Sequence, residues 1–161
     1  MITCLGVIDA QRLLEEYNLI EHKIVWADGL HKGKQSGLQY SIGEDIWLSA
    51  TGKSKNWGIK HDQLNPFYQG TFFENLINEY KMIRSRFMWL GGSACYSFHL
   101  DRSQRIHVPI ITNPQSFLIW RDGQIHHLET GYVYLVDTTK EHTAINGADI
   151  PRLHLVGEIP N

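Results

Sequence analysis

The sequence has few cysteines, no long apolar run and no strong excess of one charge, and each absence excludes a class of protein. The two cysteines, Cys4 and Cys95, are too few and too far apart for a disulfide framework or a zinc ribbon, so a reduced, cytoplasmic compartment is expected. No stretch of about 18 apolar residues exists, which argues against a membrane span. The N-terminal residues also lack the basic start and apolar stretch of a secretion signal.

Charge is nearly balanced, with 15 Lys and Arg against 17 Asp and Glu. The lysines are dispersed among glycine, serine and acidic positions, so a nucleic-acid-binding surface is not expected. The length of 161 residues and the apolar share of 42% fit one domain with a single core, predicted to span residues 1–161. Composition leaves the oligomeric state open.

Two segments of the first half predict α-helices. Asp9 is placed to cap a helix over Ala10–Tyr17, and Thr71 to cap one from Phe72 to about Met82, each with apolar residues at helical spacing. Between them, the polar, glycine-rich segment His31–Glu44 and the apolar residues Ile46–Leu48 predict loops with one or two strands.

The second half predicts a β structure. Turn residues such as Asp122-Gly123 separate eight short β-prone runs. The runs are Arg86–Leu90, Cys95–Asp101, Arg105–Thr112, Ser116–Trp120, Gln124–Glu129, Tyr132–Asp137, His142–Asn146 and Arg152–Gly157. The expected fold is therefore mainly β with flanking α-helices. Its core is an eight-stranded jelly roll over residues 84–157, which the helices, loops and short strands of residues 1–83 support.

Three residues predict a metal site. His99 and Asp101 are two positions apart at the end of a strand-like run, so their side chains face the same side if the run is extended. His142 begins a later run and supplies a third ligand. Two histidines and one carboxylate on one face of an octahedral ion leave three positions open, the arrangement of non-haem Fe(II) oxygenases. A lone His-x-Asp is otherwise commonly a structural or surface pair.

Arg152 strengthens this interpretation. It lies ten positions beyond His142, within the β-type run Arg-Leu-His-Leu-Val. A guanidinium buried in a strand needs an anionic partner, and its planar fork suits a carboxylate. That partner is either a ligand carboxylate, which the neighbouring metal-site residues favour, or an acidic residue of the chain in a structural salt bridge.

The segments "HLDRSQRIHVPIITNP" and "HHLETGYVYLVDTTKEHTAINGADIPRLHLV" resemble the aspartyl/asparaginyl β-hydroxylases and the related free-proline hydroxylases. The resemblance covers residues 84–157 and rests on H-x-D, R-x-H-x-P, H-x-x-x-N and R-x-H-L in combination. It implies a double-stranded β-helix, also called a jelly roll or cupin-like fold, with iron bound by His99, Asp101 and His142. It also implies that Arg152 pairs with the distal carboxylate of 2-oxoglutarate.

The same resemblance implies that Arg105 and His107 line the cavity near the carboxylate of the co-substrate or of the substrate. Alternation along a strand independently puts both on one face. The implied activity uses Fe(II), O2 and 2-oxoglutarate to hydroxylate an amino acid, or an amino-acid side chain in a peptide. Because halogenating relatives of this fold leave the carboxylate position open, Asp101 favours hydroxylation.

Substrate contacts and alternative functions complete the expectations. Trp57 in Asn-Trp-Gly and Asn146, four positions beyond His142, are candidate substrate contacts, although Asn146 also suits a turn with Gly147. One alternative function is a cupin-like protein that binds a metal or ligand without oxygenase turnover. Another is a cupin-type isomerase or dioxygenase with three or four histidine ligands, in which Asp101 would be dispensable for metal binding.

Overall fold

Strands dominate the part of the chain that the computed structural model describes, residues 1–29, 31–52 and 58–160. The first half contains β1 (Ile2–Val7), α1 (Ala10–Ile20), a 3-10 helix (Glu21–Lys23), β2 (Ala27–Asp28), β3 (Lys34–Gly37), β4 (Gln39–Tyr40), β5 (Gln63–Leu64), a second 3-10 helix (Pro66–Tyr68) and α2 (Phe72–Glu79). The second half contains β6 (Ile83–Leu90), β7 (Ala94–Cys95), β8 (Arg105–Ile111), β9 (Ser116–Trp120), β10 (Ile125–His126), β11 (Tyr132–Val136), β12 (His142–Asn146) and β13 (Arg152–Glu158).

Both predicted helices are present with their predicted caps. The Asp9 carboxylate accepts a hydrogen bond from the N–H of Arg12, and α1 extends three residues beyond the predicted end, to Ile20. The Thr71 hydroxyl accepts one from the N–H of Glu74, but α2 ends at Glu79, earlier than predicted. The reason is Lys81, whose φ of 50° is left-handed and cannot continue a helix.

The strands from β6 onward form the predicted jelly roll. β6, β8, β11 and β13 lie in a seven-stranded sheet of order β1-β11-β8-β13-β6-β3-β2, whereas β7, β9, β10 and β12 form a four-stranded sheet of order β10-β9-β12-β7. Neighbouring strands are antiparallel throughout these two sheets. Because the chain passes repeatedly from one sheet to the other, the fold is a double-stranded β-helix, and the predicted fold class is confirmed.

Residues 1–83 add strands to the jelly roll: β1 was not predicted, whereas β3 and β4 lie in the segment where one or two strands were expected. β1 pairs with β11, and β3 pairs with β6, so both extend the large sheet of the jelly roll. Two predicted runs are longer than the strands they contain. Of the run Cys95–Asp101 only Cys95 belongs to a strand, while His99 forms a single bridge with His142. Of the run Gln124–Glu129 only Ile125–His126 forms a strand, and the apolar residues Ile46–Leu48 of the first half lie in turns.

Alternation along β8 and β13 divides their side chains between two faces of the large sheet. Ile106, Val108 and Leu155 face the helices and pack with Tyr17, Phe87 and other residues into the main core. Burying each large apolar side chain stabilises the fold by about 1.5–3 kcal/mol. The side chains on the opposite face of β8 and β13 face the small sheet, where several of them are charged or polar.

A smaller apolar cluster joins the two sheets. It contains the buried residues Leu90, Leu118, Trp120, Leu128, Val136 and Ala144. This cluster fills part of the space between the sheets and leaves a cavity beside it. Within the described residues, no helix has both the length and the apolar character needed to cross a bilayer. That residues 1–161 form one domain stays a prediction.

Candidate metal centre

The structure brings together the three residues that the sequence predicts as metal ligands. One side-chain ligand atom each from His99, Asp101 and His142 lies within 4.8 Å of the other two. Backbone pairing accounts for the histidines, because each donates its N–H to the other's carbonyl at 2.9 and 3.0 Å. Their imidazole rings therefore lie side by side, with centroids 4.5 Å apart.

Backbone carbonyls determine which nitrogen of each imidazole is available. Nδ1 of His99 lies 2.9 Å from the carbonyl of Ser97, and Nδ1 of His142 lies 2.9 Å from the carbonyl of Lys140. A carbonyl only accepts hydrogen bonds, so Nδ1 carries the proton and Nε2 of the neutral ring keeps its lone pair. Burial also lowers the pKa of His142, which favours the neutral form that a metal requires.

Asp101 lies in the loop between β7 and β8, not on a strand as predicted. Its N–H donates to the carbonyl of Thr138 at 2.9 Å, which fixes the backbone beside β11. Burial raises the pKa of the Asp101 carboxyl, but the charge and the hydrogen bond of Arg105 outweigh this and lower it overall. The carboxylate is therefore ionised near neutral pH and suited to a cation.

The three candidate ligands open onto a cavity between the sheets, with a volume of about 210 Å³. The other residues lining it include Gln35, Arg86, Met88, Leu90, Tyr96, Arg105, His107, Leu118, Ala144 and Arg152. The large sheet contributes the arginines and His107, while the small sheet contributes His142 and apolar residues. The walls thus combine positive charge with a small apolar surface.

Arg152 lines this cavity as predicted, at the start of β13 and only 6% exposed. Burial lowers its pKa from the ordinary arginine value to about 10, and the neighbouring Tyr96 opposes this only in part. No carboxylate of residues 1–29, 31–52 or 58–160 lies within 4.0 Å of its guanidinium. Within these ranges, Arg152 therefore has no acidic partner for the structural salt bridge that was the alternative prediction.

Arg105 and His107 line the same cavity, on one face of β8 as predicted. The guanidinium of Arg105, however, already contacts the carboxylates of Asp101 and Glu158. Nδ1 of His107 lies 3.3 Å from Nδ1 of His154, and burial lowers the pKa of His107 to about 3. His107 is therefore a neutral side chain, whereas Arg105 is engaged within the protein.

Of the two candidate substrate contacts, Trp57 and Asn146, the structure describes only Asn146. Trp57 lies outside the described residues, so its predicted contact stays a prediction. Asn146 is completely buried, and its amide NH2 donates to the carbonyls of Leu90, Gly91 and Ile150. Its amide oxygen accepts from Asn113, Ser116 and Ala148. These bonds leave no amide atom for a substrate, so we correct Asn146 to a structural residue at the end of β12.

Sequence reasoning missed Arg86 and Glu158. Arg86 lies on β6, lines the cavity and is buried, and its Nε has no hydrogen-bond partner in the described structure. Burial lowers its pKa to about 9. A charged residue within a buried apolar run was the signal that identified Arg152, and the same signal was available in Ser-Arg-Phe. Glu158 had no such signal, because its importance depends on arginines distant in the sequence.

The chain matches the model of one known protein family. A family model described as aspartyl/asparaginyl beta-hydroxylase matches residues 72–160, which is more than half of the chain. This range contains α2, the whole jelly roll, the three candidate metal ligands and Arg152. No curated protein sequence matches the chain significantly.

Two solved structures share the fold over nearly the whole chain. An oxidoreductase of the 2OG-Fe(II) oxygenase family from Burkholderia pseudomallei superposes with a TM-score of 0.67 at 11% identity, covering 99% of this chain and 88% of that chain. A prolyl-4-hydroxylase from Pseudomonas putida gives 0.56 at 13% identity, covering 100% and 92%. At such low identities the similarity establishes the fold, which includes the elements formed by residues 1–83.

Proposed function

Because the chain belongs to the aspartyl/asparaginyl β-hydroxylase family, we propose that it is an Fe(II)- and 2-oxoglutarate-dependent oxygenase that hydroxylates an amino acid or an amino-acid side chain in a peptide. The observation that carries the proposal is the cavity shared by the His99, Asp101 and His142 cluster and the guanidinium of Arg152, which has no carboxylate within 4.0 Å among the described residues. A cation site beside a carboxylate-binding site suits a metal-chelating dicarboxylate.

The residues present fit iron by the chemistry of their donor atoms. His99 and His142 would each offer Nε2, since Nδ1 donates to a carbonyl, and Asp101 would offer one carboxylate oxygen. Three protein ligands leave three coordination positions for a chelating co-substrate and O2. When bound, Fe(II) with 2-oxoglutarate and O2 supplies oxidative decarboxylation to succinate and CO2, coupled to hydroxylation of an unactivated C–H bond.

Arg152 would bind the distal carboxylate of 2-oxoglutarate. Its guanidinium is buried and charged, and such a group is costly to leave without an anion. A planar guanidinium binds a carboxylate through two parallel hydrogen bonds, which orients the ligand as well as holding it. Arg152 would thereby direct the other end of the dicarboxylate towards the metal.

Arg86 supports a second anionic group in the cavity, namely a carboxylate of the substrate. No carboxylate of the described chain lies within salt-bridge distance of its guanidinium, and Nε lacks a partner. The family description names aspartyl and asparaginyl substrates, and the Pseudomonas putida neighbour is a prolyl-4-hydroxylase. The carboxylate of a free amino acid or of an acidic side chain would pair with the Arg86 guanidinium, and the small cavity suits a small reacting group.

The proposal is tested by measuring succinate formed from 2-oxoglutarate by purified protein with Fe(II) and O2. Free amino acids and short peptides containing aspartate, asparagine or proline should be screened as substrates. The variants His99→Ala, His142→Ala and Arg152→Ala should lose turnover, whereas Arg12→Ala, a change at an exposed arginine of α1, should retain it. Absence of succinate with every substrate, in protein that binds one Fe(II), would favour a cupin-like binding protein without turnover.

A further inference from the structure

Behind Asp101 lies an ion-pair network formed by Asp101, Arg105, Glu158 and Arg84. We propose that this network orients the Asp101 carboxylate for metal binding, with Glu158 as a positioning residue near the C-terminal end of the described chain. The inference rests on the proposed metal site, but it concerns groups that the family resemblance does not assign to this role. It also gives Arg105 a different role from co-substrate binding.

Direct contacts connect the four charged groups in sequence. Nε of Arg105 donates to Oδ2 of Asp101 at 3.2 Å, and Nη1 of the same guanidinium contacts Oε1 of Glu158. Nη1 of Arg84 donates to the same Oε1 at 3.1 Å. The side chains of Arg84, Arg105 and Glu158 are largely buried, so water screens these charges only weakly.

Strand register holds Arg105 and Glu158 together. Arg105 begins β8, Glu158 ends β13, and the two residues are direct partners in the antiparallel pairing. Partners in such a pair have side chains on the same face, about 5 Å apart at Cβ. The contact between them is therefore built into the large sheet and does not depend on a flexible loop.

A bulge in β6 brings Arg84 to the same point. Arg84 has a φ of 50°, a left-handed conformation that is uncommon for a residue other than glycine. The pairing of β6 with β13 shifts register here, because Ile83 pairs with Glu158 while Arg86 pairs with Val156. Bulges redirect side chains near functional sites, and this one directs Arg84 at Glu158.

The loop that carries Asp101 is attached to the same network. The hydroxyl of Ser103 accepts from Nη1 of Arg105 at 2.9 Å and donates to Oε2 of Glu158 at 3.4 Å. Thr138 donates its hydroxyl to the carbonyl of Ser103 at 2.8 Å and accepts the N–H of Asp101 at 2.9 Å. Both the backbone and the side chain of Asp101 are thus restrained.

The network leaves one oxygen of Asp101 for the metal. Arg105 engages Oδ2 through Nε while its Nη1 contacts Glu158, and among the described residues the guanidinium donates no hydrogen bond to Oδ1 of Asp101. A one-oxygen carboxylate ligand preserves the open positions that a chelating co-substrate needs. The two arginines and two acids also balance in charge, so Arg105 does not repel a cation as an isolated guanidinium would.

The test is metal affinity in the metal-free protein, without 2-oxoglutarate or turnover. Titration with Co(II), followed by its visible absorption, gives a dissociation constant and reports coordination geometry. Glu158→Gln should raise the dissociation constant about tenfold or more, within the 10–100-fold range typical when a residue supporting a metal ligand is lost. The matched control is Glu16→Gln, which removes the carboxylate of the partly exposed Arg12–Glu16 pair on α1 and should leave the dissociation constant unchanged.

Glu158→Asp separates orientation from charge and serves as the milder variant if Glu158→Gln does not fold. It keeps the negative charge but shortens the side chain, so we expect several-fold weaker Co(II) binding and an altered absorption spectrum. Wild-type affinity in Glu158→Asp or Glu158→Gln would overturn the inference. If the Glu158 variants bind Co(II) more weakly but the wild type forms no succinate from any substrate, the proposed activity is rejected and the proposed role of the network stands. If the wild type binds no Co(II), both proposals are rejected.

Discussion

Replacing Arg152 with methionine should make the ligand-free protein more stable and weaken co-substrate binding. The guanidinium is buried, lines the cavity and has no carboxylate partner in the described chain. Methionine has a similar length and flexibility, so it retains much of the packing of the arginine stem while it removes the buried charge. Stability and binding should therefore change in opposite directions.

The size of the stability change follows from the pKa of Arg152. Burial lowers this pKa from the ordinary arginine value to about 10, and each pH unit corresponds to about 1.4 kcal/mol, so the charged form is disfavoured by about 3 kcal/mol in the folded state. Removing the buried charge should therefore stabilise the folded state, although methionine packs less well than the arginine stem and part of this stabilisation is lost. The expected net increase in the free energy of unfolding of Arg152→Met is about 1–3 kcal/mol. Loss of a buried charge pair with the ligand should weaken 2-oxoglutarate binding by about 2 kcal/mol or more, which is about 30-fold.

Two measurements check this prediction. Urea denaturation of metal-free protein compares stabilities, and calorimetric titration of 2-oxoglutarate into anaerobic Fe(II) protein compares affinities. Arg12→Met is the matched control, since Arg12 is exposed and its removal should alter stability by less than about 1 kcal/mol and leave binding unchanged. The reasoning is refuted if Arg152→Met unfolds more easily than the wild type, or if it binds 2-oxoglutarate normally.

Other predictions concern the buried residues around the site. Burial lowers the pKa of His107 to about 3, so the unfolded state binds more protons below pH about 6.5, and stability should fall on acidification by about 1 kcal/mol between pH 6.5 and 5.5. Urea titrations of His107→Asn should show a shallower fall over this range, and an equal fall would contradict the prediction. Phe87→Ala should cost about 3–5 kcal/mol in the same assay, because the ring is completely buried against Tyr17 and Phe73, and a cost below about 1 kcal/mol would contradict that packing. Asn146→Ala should cost about 2 kcal/mol or more through its lost hydrogen bonds, and a variant of full stability with altered substrate preference would restore Asn146 as a substrate contact.

The features that sequence reasoning predicted well depend on local signals. Asp9 and Thr71 stand where helix caps belong, and both helices begin as expected. β9 and β12 have their predicted bounds because turn residues flank short apolar runs. The three candidate metal ligands also come together, although Asp101 reaches the site from a loop and not through strand alternation.

The features that were missed depend on distant partners or on backbone pairing alone. β1 is an edge strand whose side chains are mostly exposed, so it has no clear alternation of buried and exposed residues. One or two strands were expected in the segment that contains β3, but the bounds of β3 were not predicted, because Lys-Gln-Ser-Gly contains no large apolar residue and joins the sheet by pairing with β6. Arg105 was assigned to a ligand carboxylate, since nothing in the sequence indicates that Glu158, 53 residues later, is its strand partner.

The most direct test of the metal site is the visible spectrum of anaerobic protein with Fe(II) and 2-oxoglutarate. Chelation by the co-substrate at an iron with three open positions should produce a weak charge-transfer band that saturates at one Fe(II) per chain. The band should be absent in His142→Ala, which lacks one of the three proposed protein ligands. A wild-type protein that is folded and binds Fe(II) but develops no band on addition of 2-oxoglutarate would contradict the account.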